Sequence, residues 1–318
     1  MRDIKNLTVI ICSYKANKEF KLCLHQLARY GFTGNQLLIV ENSPSEYISN
    51  RELLAKHGIR YINNPNGMHA MTVNQVIGTV TTDYVLLLDS DCFLTADPIP
   101  HFEKVKTHGI QLYGDVCGDR AGLHIHKRVH PWWCFIDVTF LKQNNIQFID
   151  FQRMVESDSM SFIDRTQLMN ARDPKKFYYD SGSTMYEDVI KCGGIVADVG
   201  DVKPYIHIEG ASWRREFKEY EEVVASMDNW VNLLYPKLLF EEKYLDLLRY
   251  VDPTAVTMPA GPVTETAAPE TDIKSEQVEE KLESVKETEH VDSADNASVV
   301  EPEQVSADDT KPKKKKHK

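Results

Sequence analysis

The sequence predicts an α/β fold, a largely parallel sheet with helices on both faces, and three observations carry that expectation. The runs Leu7-Thr8-Val9-Ile10-Ile11-Cys12, Leu37-Leu38-Ile39-Val40 and Tyr84-Val85-Leu86-Leu87-Leu88 are of strand length. They are largely apolar without alternation, as strands buried on both faces are. Segments with helical apolar spacing lie between them, and the connections are short, which favours strand-helix-strand units within one sheet.

The first strand covers 7–12. Asn17 is the expected cap of a helix whose Phe20, Leu24 and Leu27 recur on one face, and Gly31 is the expected stop. The second strand covers 37–40. A polar, helix-compatible stretch follows, then a short strand at Arg60-Tyr61-Ile62, a helix over 68–80, and the return to the sheet at 84–88. Neither a GxGxxG nor a GxxxxGK[ST] follows the first strand, which argues against the common dinucleotide and P-loop uses of such a sheet.

Composition divides the chain. Of 318 residues with a net charge of −11, residues 252–318 hold 16 Asp and Glu against 9 Lys and Arg. Seven of the eleven net charges therefore lie there, and the body carries only four. That segment has no aromatic residue and no sustained period, so 252–318 is expected to be a disordered acidic tail with a basic end, Lys311 to Lys318. Interleaved Glu and Lys over 275–288 suit a transient helix. The expected boundaries are 1–251 for the folded domain, with a nucleotide-binding half (1–115), an acceptor half (116–215) and C-terminal helices (216–251). No run of transmembrane length and no secretory leader pattern is visible, and the six scattered cysteines contain no CxxC pair. The expectation is a cytoplasmic protein with reduced thiols and no integral membrane contact. The sequons at Asn6 and Asn296 are read as chance.

Chemistry concentrates at strand ends. Asp89-Ser90-Asp91 follows the 84–88 strand, at the carboxyl edge where open α/β sheets bind ligands. Carboxylates at i and i+2 of an extended segment point the same way, so the pair suits a divalent cation completed by substrate phosphates. A polar turn after a core strand is the plain alternative. Ser13-Tyr14 ends the first strand and Glu41-Asn42-Ser43 the second. Asn64-Pro65-Asn66-Gly67 and Asn74 lie between them and the acidic pair.

This ordered set resembles the family-2 glycosyltransferases of the GT-A (nucleotide-diphospho-sugar transferase) fold, over about residues 6–215. The resemblance implies a mixed, mostly parallel sheet and a metal-dependent, inverting transfer of a hexosyl or pentosyl group from a nucleoside-diphosphate sugar. It implies that Ser13 and Tyr14 line the base pocket and that Glu41, commonly Asp in the family, contacts the base or ribose. It places Asn74 on a helix facing the nucleotide, Asp89 toward the ribose and sugar, and Asp91 on manganese or magnesium. Asp180, in Tyr178-Tyr179-Asp180-Ser181-Gly182, falls at the position of the general base; Asp188 is the alternative, and a plain helix cap is the structural reading of Asp180. His207, in Tyr205-Ile206-His207, falls at the family's strand-ending histidine and is expected to join Asp91 on the metal, with Arg214 and Arg215 near phosphates.

Trp132 and Trp133 are candidate acceptor platforms, because indole faces stack on sugars, although adjacent strand residues face opposite ways. His124, His126, Lys127, Arg128 and His130 form a basic run suited to a phosphate-bearing acceptor or to a solvated loop; no second ligand cluster has zinc-finger spacing. The acceptor is expected to be a glycan, with a hydroxylated DNA base as the alternative. A sugar nucleotidyltransferase and a non-catalytic sugar-nucleotide-binding protein are the rival functions. The first lacks its glycine-rich N-terminal loop, and the second is disfavoured by the joint presence of Asp89, Asp91, Asp180 and His207.

Overall fold

A computed structural model describes residues 4–44, 49–64, 69–118, 125–159 and 176–208, with four isolated positions between 222 and 229. The expectations for Pro65-Asn66-Gly67, His124, Arg214, Arg215, the C-terminal helices and the tail lie outside these residues.

A seven-stranded sheet runs in the order β3-β2-β1-β4-β7-β6-β8. Its parallel half is the one the sequence predicts: β1 (Leu7–Ser13), β2 (Leu37–Glu41), β3 (Tyr61–Asn63) and β4 (Tyr84–Asp89) pair in parallel. Their carboxyl ends, Ser13, Glu41 and Asp89, therefore share one edge. β7 (Arg128–Asp137) runs antiparallel to both β4 and β6 (Leu112–Cys117), and β8 (Val196–Asp198) extends β6 in parallel. A two-stranded sheet pairs β5 (Cys92–Leu94) with β9 (Tyr205–His207).

Alternation within the apolar runs explains the two cores. Val9, Ile11, Leu86, Leu88, Trp133 and Phe135 enter one cluster, with Phe20, Leu24 and Leu27 of α1 (Asn17–Arg29), Leu53 and Leu54 of α2 (Ser49–Lys56), and Phe102 and Val105 of α4 (Ile99–His108). Ile10, Cys12, Val85, Leu87, Cys134 and Ile136 enter the other. There they meet Val73 and Ile77 of α3 (His69–Thr79), Leu141 of α5 (Val138–Gln143), Met154 of α6 (Phe151–Glu156), and Met185 and Val189 of α7 (Ser183–Lys191). Helices thus cover both faces. Burying such aliphatic side chains contributes about 1.5–3 kcal/mol each before chain entropy is subtracted.

Asn17 is the first helical residue of α1 rather than its cap; Ala16 holds the cap position and no side chain caps the helix. Gly31 does end it, with φ of +82°. β6 reads poorly as a strand because Gly114-Asp115 interrupts it. The glycine is required by packing: a Cβ there would lie 2.6 Å from Val129 Cγ1 and 2.7 Å from the Trp133 carbonyl oxygen. The β6–β7 register shifts between Gly114 and Val116, so the ladder passes from Val129 to Cys134 and the β7 residues between them have no partner in β6.

All six cysteines are free thiols; five are buried and Cys192 is exposed. Burial pushes the thiols of Cys23, Cys92 and Cys134 up.

Candidate active site

The site begins where β4 stops. Asp89 is the last residue of β4, and the chain then turns before β5. Asp91 therefore sits in a turn rather than in an extended segment, yet its carboxylate still converges with that of Asp89. The small sheet explains the convergence. Cys92 pairs with His207 across β5 and β9, and the Ile208 N–H donates to the Asp91 carbonyl at 3.2 Å. His207 Nε2 is thereby set 3.2 Å from Asp91 Oδ1 and 3.7 Å from Asp89 Oδ2. One ligand atom from each of the three residues lies within 4.8 Å of the others.

Two carboxylates and an imidazole form a donor set of hard oxygens with one borderline nitrogen, which fits Mn2+ or Mg2+ and carries no thiolate to favour a softer ion. Asp91 and His207 are nearly closed to solvent while Asp89 is more open, so the cluster has a buried base and an accessible side. His69, the first residue of α3, brings a second imidazole to Asp89, with Nε2 3.4 Å from Oδ1. Burial opposes its charge, but Cys12 and Asp89 outweigh that and raise its pKa well above the ordinary histidine value. The sequence reading passed over His69. The signal was its place one helix start after a strand-end loop.

Asn74, the residue expected to face the nucleotide, does something else. Its Oδ1 accepts from the Phe148 N–H at 3.0 Å and its Nδ2 donates to the Ile149 carbonyl at 3.3 Å. The amide ties α3 to the 148–149 segment with both ends, which corrects the expected nucleotide contact.

The expected base pocket is a closed polar cluster. Ser13 and Glu41 are fully buried and only Tyr14 is partly exposed. Ser13 Oγ accepts from Asn50 Nδ2 at 2.7 Å, and Glu41 Oε1 accepts from the Ser43 N–H at 2.9 Å. Glu41 Oε2 is buried without a hydrogen-bond partner among the described residues. Lys15 stands over the Tyr14 ring at 5.0 Å, and Arg51 donates to the Ser43 carbonyl at 2.6 Å. Asn50 and Arg51 of α2 complete this cluster. The sequence showed only a polar helical segment there.

The two tryptophans part company. Trp133 is fully buried, edge-on to Phe135 at 5.3 Å, and is core rather than acceptor platform. Trp132 is partly exposed, but its faces are taken. His130 stacks on it at 3.5 Å and 15°, and His207 at 4.3 Å and 22°. Two nearly parallel rings at such separations cannot share one face, so the indole is sandwiched. Neither tryptophan presents a face to a sugar, which corrects the expected platform.

Asp180 sits just before α7, whose cap position is Gly182 rather than Asp180. Its carboxylate pairs with the Arg128 guanidinium and accepts from the Ser181 N–H at 2.7 Å. Burial works against the Arg128 charge, but Asp180 and Cys117 outweigh it and hold the guanidinium above its usual range. The bridge between Ile125 and Tyr178 lays these two segments side by side and explains the pairing. Asp188 is forked by Arg153, with both oxygens 2.9 Å from one guanidinium nitrogen. His126 of the basic run stacks on Tyr179 at 4.0 Å and pairs with Glu187 at 2.8 Å.

Residues 8–121 match the family model described as glycosyl transferase family 2. Over that segment, about a third of the chain, the protein resembles glycosyl transferase family 2, and its sheet is mixed and mostly parallel. No curated protein matches the chain. Solved structures similar to it include the mannosyltransferase PcManGT from Pyrobaculum calidifontis in complex with GDP-Man and Mn2+, at 12% identity over 76% of this chain and 73% of that one, TM-score 0.38. TarS 1–349 of S. aureus is 13% identical over 76% of this chain and 69% of that one, TM-score 0.39. The glycosyltransferase GlyE of Streptococcus pneumoniae TIGR4 is 14% identical over 70% of this chain and 49% of that one, TM-score 0.37. These likenesses are loose and nothing rests on them; the mixed sheet is read from its own strand order. No helix among the described residues is long and apolar enough to cross a membrane.

Proposed function

We propose that the protein transfers a sugar from a nucleoside-diphosphate sugar to a hydroxyl of a glycan acceptor, with inversion and with the help of a divalent cation. The convergence of Asp89, Asp91 and His207 at the carboxyl edge of the sheet is the observation that carries this reading. Asp91 and His207 are the residues that would hold the cation, with Asp89 on its open side toward the sugar. A bound cation supplies neutralisation of the charge on the departing diphosphate.

The remaining roles follow from the chain's own groups. Glu41 Oε2, buried without a hydrogen-bond partner among the described residues, is the acceptor that a base or ribose donor would satisfy once the Ser13–Asn50 cluster opens to the nucleotide. Asp180 is the proposed general base. It takes the proton of the acceptor hydroxyl as that oxygen bonds the anomeric carbon, while the bond to the diphosphate oxygen breaks and its electron pair leaves with the nucleotide. It is paired with Arg128, and the acceptor must loosen that pair for the proton to move. Asp188 is the weaker choice, because Arg153 occupies both of its oxygens.

The test is direct. The full chain is incubated with Mn2+ and a panel of sugar nucleotides, and nucleoside diphosphate release is measured with and without acceptor. Release that stops with chelator is expected. Pyrophosphate chemistry instead would identify a nucleotidyltransferase, and tight binding with no release a non-catalytic protein.

A further inference from the structure

The indole of Trp132 has a position that the transfer reaction does not by itself call for. It fills the space between His130, which is buried, and His207, which faces the carboxylates. Its Nε1–H donates to the Tyr205 hydroxyl at 3.2 Å, which fixes the indole in its own plane. Burial pushes the Tyr205 phenol up, so it stays a neutral acceptor. Behind the stack, His130 Nδ1 lies 3.7 Å from Cys117 Sγ. The column Cys117, His130, Trp132, His207 thus runs from β6 to the carboxylates.

An imidazole ligand offers its lone pair in the plane of its ring, so ring rotation moves the donor atom off its target. His207 turns Nε2 toward Asp91 and Asp89. The indole lies within 22° of parallel to the His207 ring and limits that rotation from one side. We infer that Trp132 is a positioning residue, backed by His130, that sets the His207 ring for divalent cation binding; this rests on the metal reading above. Groups behind a metal ligand commonly act through a hydrogen bond. Here a π-stack does the orienting.

The experiment measures Mn2+ binding to the full chain by electron paramagnetic resonance of free Mn2+, with melting curves as a check on folding. The variants are Trp132→Phe, Trp132→Leu and His207→Ala. Phe keeps a flat ring between the imidazoles and should stay close to wild type. Leu fills space without a flat face and should weaken Mn2+ binding by roughly tenfold or more, the scale seen for lost outer-shell partners. If Trp132→Leu does not fold, His130→Leu, which removes the backing ring, takes its place with the same expected direction. Mn2+ binding in the Leu variant equal to wild type overturns the inference, as does an equal loss in the Leu and Phe variants, which would mark a packing effect. Unchanged binding in His207→Ala, or none in wild type, defeats the metal reading itself.

Discussion

The Asp180 carboxylate is paired with the Arg128 guanidinium across two chain segments, 125–128 and 178–180, that run side by side. Both side chains are mostly shielded from water, with exposures of 22% and 12%. If Asp180 is the base, a pair at that depth serves structure as well as chemistry, and a single substitution disturbs both. Asp180→Asn should lower transfer by about a hundredfold, the usual scale for a general base. It should also lower the melting temperature, because it leaves Arg128 shielded and unpaired. Adding Arg128→Gln should recover part of the stability without recovering turnover. Turnover per folded molecule, measured well below the melting transition in both variants, separates the two effects. A double variant that regains activity would remove Asp180 from the chemistry.

Asn74 makes the opposite case, a residue expected at the nucleotide that the structure assigns to scaffolding. Asn74→Ala strands the Phe148 N–H and the Ile149 carbonyl, and unsatisfied shielded groups cost about 1–3 kcal/mol. Denaturant unfolding should show a loss of that order, while nucleotide affinity by calorimetry stays at the wild-type value. Weakened affinity with unchanged stability would return Asn74 to the donor site.

These two residues also show what could be read from the sequence. The parallel half of the sheet was legible because β1, β2 and β4 are apolar on both faces and end in polar groups. The convergence of Asp89, Asp91 and His207 was legible because strand-end position is a one-dimensional property. Partners were not. The fork of Arg153 on Asp188, the pairing of Arg128 with Asp180 and the burial of both faces of Trp132 depend on elements far apart in the chain. β6 was hidden because its interior Gly114-Asp115 breaks the apolar run. Asn74 was misread because an amide on a helix near a site looks the same whether it faces ligand or backbone.

The close approach at Gly114 gives a stability prediction. An added methyl would meet Val129 Cγ1 at 2.6 Å, the Trp133 carbonyl oxygen at 2.7 Å and Cys134 Cβ at 3.0 Å. A backbone oxygen cannot turn aside as a side-chain end can, so β7 would have to shift. Gly114→Ala should cost about 1–3 kcal/mol, the usual price of overpacking. Denaturant unfolding reads this directly, and a variant as stable as wild type would mean that β7 yields between Val129 and Cys134, where its register shifts. The stack on Trp132 should then be disturbed, visible as a changed tryptophan emission.

The cation cluster yields a prediction about stability that needs no substrate. Asp89 and Asp91 hold two carboxylates near one another, and His207 reaches toward both. Without a cation, the like charges repel each other in a partly shielded site. Asp91→Asn removes one charge and keeps the shape. In chelator the variant should melt at or above the wild-type temperature. Ligand that binds only the folded state raises stability with its concentration, so added Mn2+ should raise the melting temperature of wild type progressively. The same titration should leave Asp91→Asn nearly unmoved, because the most buried carboxylate of the set is gone. Scanning calorimetry across a Mn2+ series checks both parts. Equal Mn2+ stabilisation of the two proteins would show that the ion binds elsewhere. A variant that melts well below wild type in chelator would show that the Asp91 carboxylate serves the fold through its contact with His207 Nε2 rather than waiting for a cation.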